Sequence, residues 1–120
     1  MTKKALLVVK SSPYGTICAI CVYEAKRAAV GLSGEDIESS ILLVNDGVYF
    51  LLKGQDPSDL KMQSFELAFQ DLEDFDIKLF AHKPSLEKRA ISESEIRKVD
   101  LLTDDEIADL IKSSDVIMTF

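Results

Sequence analysis

Ala5-Leu6-Leu7-Val8-Val9 is an unbroken apolar run, and Lys10-Ser11-Ser12-Pro13-Tyr14-Gly15 comes directly after it. A strand with one wet face alternates apolar and polar residues. A run that is apolar at every position is buried on both faces, as in a parallel sheet with helices over it. Pro13 and Gly15 punctuate the loop, and Thr16 is a good cap for a helix beginning there. The alanine-rich stretch 16–31 predicts that helix, which Gly31 and Gly34 end.

The same order recurs along the chain. Residues 40–44 (SILLV) predict a second buried strand, turned at its end by Asn45-Asp46-Gly47. Val48 to Leu52 predicts a single helical turn. Ser58 to Glu73 predicts an amphipathic helix, because Met62, Phe65, Phe69 and Leu72 recur at spacings of three and four. Ile77 to Ala81 predicts strand three. Pro84 opens a short helix through Arg89, where a proline suits the first turn. Val99 to Leu102 predicts strand four. Thr103-Asp104-Asp105-Glu106 is a capping box for a helix to Lys112, with acids at its positive end. Val116 to Phe120 predicts the last strand. The expectation is one α/β domain over residues 1–120, with a mainly parallel five-stranded sheet and helices on both faces.

The net charge of −7 argues against direct nucleic-acid binding, which needs clustered Lys and Arg to displace counterions. It also argues against an anionic membrane surface, and suits a basic protein partner. No apolar stretch approaches the roughly 18 residues of a membrane span. Ala5 to Val9 is too short for a secretory h-region, so the expectation is cytoplasmic, with reduced thiols.

In an open parallel sheet, ligands sit past the carboxyl ends of the strands. With strands one and three as central neighbours, Ser11 to Gly15, Asn45-Asp46-Gly47 and Ala81-His82-Lys83-Pro84 meet there. Ser11, Ser12, Tyr14, Gly15, Asp46 and Lys83 are thus candidate binding residues, and the first loop offers N–H groups to an anion. The loop fits neither G-x-x-x-x-G-K-[ST] nor G-x-G-x-x-G, so no nucleotide cofactor is implied. A phosphate-binding or small-molecule module remains an alternative.

Cys18-Ala19-Ile20-Cys21 is a C-x-x-C near a helix start, where the positive helix end favours a thiolate. One reading is a redox pair or a persulfide carrier. The other is a pair of small hydrophobes, because Cys18 and Cys21 share a helical face with Val22, Ala25 and Ala29. His82, the single histidine, is a candidate acid, base or thiolate partner, or a loop residue without chemistry. Two cysteines and one distant histidine do not make a four-ligand metal site. Ile20 and Tyr23 lie away from the core face and suggest a subunit contact.

Four segments, in order, give the chain a resemblance to the DsrE/DsrF-like sulfur-relay family, nearest its DsrF/TusC branch. They are Ser11-Ser12-Pro13-Tyr14-Gly15-Thr16, Asn45-Asp46-Gly47 running on to Gln55-Asp56-Pro57, Phe75-Asp76-Ile77 with Ser85-Leu86-Glu87-Lys88-Arg89, and the ending Ser114-Asp115-Val116-Ile117-Met118-Thr119-Phe120. The resemblance implies a Rossmann-like domain and homo- or hetero-oligomers with DsrE/TusD-like and DsrH/TusB-like partners. It implies handling of protein persulfide, toward tRNA thiolation or in sulfur metabolism, and no cofactor. In the sulfur-carrying DsrE/TusD branch the acceptor cysteine lies just after strand three. Here that place reads Phe80-Ala81-His82-Lys83-Pro84. The expected role is therefore a non-catalytic, accessory subunit. The alternative is a sulfurtransferase-type carrier using Cys18 or Cys21.

Overall fold

Leu6 and Leu7 point to opposite faces of one strand, and both are fully buried. The apolar run thus sits inside the sheet, each leucine contributing about 2 kcal/mol of burial. The computed structural model describes residues 3–11, 21–52 and 72–120. In it, β1 (Lys4–Val9), β2 (Glu38–Leu43), β3 (Lys78–His82), β4 (Asp100–Leu102) and β5 (Val116–Thr119) form one parallel sheet, ordered β4-β3-β2-β1-β5. The expected architecture is present.

The expected neighbourhood of strands one and three is corrected. β2 lies between them, paired to β1 from Lys4–Glu38 through Val9–Leu43. Consecutive strands joined by one short helical crossover usually lie side by side, and these do.

Strand order also decides which face each helix covers. β1 to β4 step in one direction, and right-handed crossovers then keep their connections on one face. On that face α1 (Cys21–Gly34) packs on β1 and β2, bringing Ala25 and Ala29 over Leu7, Val9, Ile41 and Leu43. Alanines let the helix come close. Val48, Phe50 and Leu51 of the 3₁₀ turn Asn45–Leu51, and Leu86 of α2 (Lys83–Lys88), fill the same core. The return from β4 to β5 spans the sheet on the other face. There α3 (Asp104–Ser113) sets Leu110 beside Ser40 and Phe80.

Helix ends obey local chemistry. Thr103 Oγ1 accepts the Glu106 N–H, and Glu106 Oε1 accepts the Thr103 N–H, as its capping box requires. α1 runs past Gly31 and stops at Gly34. Asp36, at φ 62°, then lets Ile37 N–H reach Leu32 O and Asp36 N–H reach Ser33 O. The helix expected over 58–73 lies mostly outside the described residues. A 3₁₀ turn at Glu93–Glu95 was not anticipated. Among the described residues, no helix is long and apolar enough to cross a membrane.

Candidate functional site

The carboxyl ends of β2 and β3 are adjacent, and a polar network joins them. It begins at Asn45, whose φ of 51° is a left-handed value that asparagine tolerates. This conformation turns the chain straight from β2 into the 45–51 helical turn. The Asn45 N–H, an orphan donor at that helix start, donates to Ser85 Oγ at 2.9 Å. Ser85 is buried, in the first turn of α2, next to the Pro84 that fixes the helix start.

His82 is the last residue of β3 and caps α2. Its Nε2 lies 2.6 Å from Asp104 Oδ1, in the first turn of α3. Its Nδ1 lies 2.6 Å from Ser85 Oγ. An ionised carboxylate only accepts, so Nε2 carries the hydrogen. In the neutral ring Nδ1 then accepts the Ser85 hydroxyl, whose oxygen accepts Asn45 N–H. Every group in the chain Asn45–Ser85–His82–Asp104 has a partner.

A second tie runs beside the first. Arg89 sets Nε (3.1 Å) and Nη2 (2.9 Å) on Asp46 Oδ1, and donates from Nη1 to Ser85 O. Its guanidinium carbon stands 6.0 Å from the centre of the Tyr49 ring, at the reach of a cation–π contact. The 45–51 turn, α2 and α3 are thereby pinned to the ends of β2 and β3.

This arrangement holds positions well. A serine, a histidine and an aspartate are in contact, yet Ser85 is 4 % exposed and so is shielded from any substrate. Both ring nitrogens of His82 are engaged in hydrogen bonds within this network. Among the described residues no cluster of His, Cys, Asp and Glu could hold a metal ion. A cavity of ≈ 490 Å³ beside Lys78, Arg97, Lys98 and Asp100 lies at the other end of the strands.

Of the other candidate residues, Ser11, Asp46 and Lys83 are described, and each follows the carboxyl end of a strand. Ser11 Oγ donates to Phe120 O at 3.4 Å, at the end of β5. Asp46 is committed to Arg89, and Lys83 is exposed. Ser12, Tyr14, Gly15 and Cys18 lie outside the described residues, as does Ile20. Cys21 is the first described residue of α1, but its side chain and that of Tyr23 are not among those described. Sequence reading singled out His82 and Asp46 and missed Ser85, Arg89 and Asp104 as their partners. Ser85 stands three residues after His82 at a helix start, a spacing that offers such a contact. Asp104 was read only as a helix-end acid.

Comparison with known proteins completes the description. The DsrE/DsrF-like family model matches residues 3–120. The intracellular sulfur oxidation protein DsrF of Allochromatium vinosum is 26 % identical over 136 residues, covering 100 % of this chain and 98 % of its own. Protein TusC of Buchnera aphidicola is 31 % identical over 121 residues, covering 98 % and 99 %. Among solved structures, the ychN protein of E. coli superposes with a TM-score of 0.77 over 100 % of both chains, at 24 % identity. That last likeness concerns the fold alone.

Proposed function

Because the chain belongs to the DsrE/DsrF-like family, we propose that it is a DsrF/TusC-like accessory subunit of a sulfur-relay complex. In this reading it supports the transfer of persulfide sulfur, toward tRNA thiolation or within sulfur metabolism, and leaves the carrying thiol to a DsrE/TusD-like partner.

One observation carries the proposal. At the end of β3, where the sulfur-carrying branch is expected to place its cysteine, stands His82, with Ser85 on one nitrogen and Asp104 on the other. The sequence holds only Cys18 and Cys21, both before β2. Full-length likeness to proteins named DsrF and TusC supports the same role.

The test is co-expression with cysteine-bearing DsrE-like and DsrH-like chains, then native mass spectrometry and exposure to a persulfide donor. The expected result is a mixed complex in which the DsrE-like chain gains one sulfur and this chain gains none. A sulfur adduct on Cys18 or Cys21 of the isolated chain, with no mixed complex, would establish the alternative of an active carrier.

A further inference from the structure

β3 and β4 do not run together from the start. β3 pairs with β2 from Lys78 onward, opposite Ser40, but its ladder to β4 begins only at Phe80, opposite Asp100. Ahead of that rung both segments are held elsewhere. Arg97 N–H donates to Leu51 O at 3.0 Å, and Ile96 bridges to Leu52. On the other side Asp76, left-handed at φ 56°, aims the chain into β3, and Ile77 N–H donates to Leu72 O at 2.9 Å. Ile77 and Ile96 are buried, so both walls are anchored in the core. The gap between them is the ≈ 490 Å³ cavity at the amino ends of the strands. That volume falls within the roughly 300–1,000 Å³ of small-molecule sites.

The described lining has two parts. Ile77, Leu79 and Val99 supply apolar surface. Lys78, Arg97 and Lys98 supply three positive charges, against the carboxylate of Asp100. This balance runs against that of the chain, which holds 21 Asp and Glu and 14 Lys and Arg. Lys78 and Lys98 are exposed, and among the described residues neither has an ion-pair partner.

We propose that this gap binds a small organic anion, with a short apolar tail against Ile77, Leu79 and Val99 and a phosphate or carboxylate head among Lys78, Arg97 and Lys98. Like charges around a hollow repel one another, and an anion relieves that repulsion. The tail adds the gain of leaving water for apolar walls. Lys78 and Lys98 carry compact charges on flexible stems, so they can close on the head from two strands. A head without a tail forgoes the apolar contact, and a tail without a head leaves the cations unneutralised. The site lies at the opposite end of the sheet from His82, and it does not rest on the sulfur-relay reading.

Isothermal titration calorimetry of the whole chain with octyl phosphate should show saturable binding that weakens as salt is raised. Octanoate, whose head carries less charge, should bind more weakly. Octanol and inorganic phosphate should each bind at least about tenfold more weakly than octyl phosphate. In nuclear magnetic resonance spectra of the same titration, the backbone amides of residues 77–79 and 97–100 should shift most. Lys78→Glu/Lys98→Glu should lose at least about tenfold in affinity, with the circular dichroism spectrum unchanged. Lys10→Glu/Lys83→Glu makes the same change in net charge at the carboxyl ends of the strands and should keep most of the affinity. Absence of saturable binding by octyl phosphate would overturn the proposal. So would equal losses in the two charge-reversed variants, or shifts centred on Lys10, Asp46 and Lys83.

Discussion

His82 Nε2 donates to Asp104 Oδ1 across 2.6 Å, and so ties the end of β3 to the start of α3, twenty-two residues further on. The two partners differ in environment. The His82 side chain is 19 % exposed and the Asp104 side chain 81 %. Losing the exposed partner is mild: Asp104→Asn should cost about 0.5–1 kcal/mol, from an exposed hydrogen bond to a carboxylate and a first-turn acid at the helix dipole. His82→Ala removes the acceptor of the buried Ser85 hydroxyl and should cost more, about 1–3 kcal/mol. Urea denaturation of both variants checks the order. Equal losses would mean that the ring does not serve Ser85.

Gly47 has no room for a side chain. A Cβ there would stand 2.1 Å from Val9 O and 2.9 Å from Val9 C, both backbone atoms that cannot swing aside. The contact is where the 45–51 turn closes over the end of β1, and Val44 N–H donates to the same oxygen. Gly47→Ala should destabilise by about 1–3 kcal/mol or more. Gly31, within α1, meets nothing within 4 Å, so Gly31→Ala should stabilise by about 0.5–1 kcal/mol. Thermal melts of the pair should move in opposite directions.

Ala90 sits at φ 54°, a left-handed conformation that strains an alanine. It closes α2: Ile91 N–H reaches Leu86 O at 3.0 Å and Ala90 N–H reaches Glu87 O at 3.1 Å. Glycine takes this conformation freely, and its greater unfolded-state entropy offsets only part of the gain. Ala90→Gly should raise stability by roughly 0.5–1 kcal/mol, read as a higher melting temperature. A fall would mean that the Ala90 methyl contributes packing.

Much of the fold was legible because its signals are local. Five residues of Ala5 to Val9 sufficed to declare an interior parallel strand, and Thr103 with Glu106 declared a helix start. Strand order was less legible: whether β3 or β2 sits beside β1 depends on crossover geometry, which periodicity does not encode. The network was only half legible. His82 stood out as a titratable residue at a strand end. Its partner Asp104 comes from the far side of β4, and no local pattern pairs residues that the sheet alone brings together. Ser85 was hidden in another way, since a serine at a helix start usually faces water, and this one is buried.

Glu95 gives the structure a defined acid-side weakness. Its carboxylate accepts the Ser92 N–H at 3.2 Å and the Ser92 hydroxyl at 2.9 Å, closing the Glu93–Glu95 turn. The backbone bond first, and the hydroxyl second, hold its pKa below the ordinary 4.5, with a small opposing effect of desolvation. A carboxyl whose folded pKa is depressed stabilises the fold above the unfolded value and loses that contribution as pH falls through the folded one. The gap in melting temperature between the natural chain and Glu95→Gln should therefore be full near pH 7, begin to shrink below about pH 4.5 and close in stronger acid. The glutamine keeps an oxygen for Ser92 N–H, so the part that vanishes is the part due to charge. A gap that stays constant from neutral pH into acid would mean that the turn is held by shape alone.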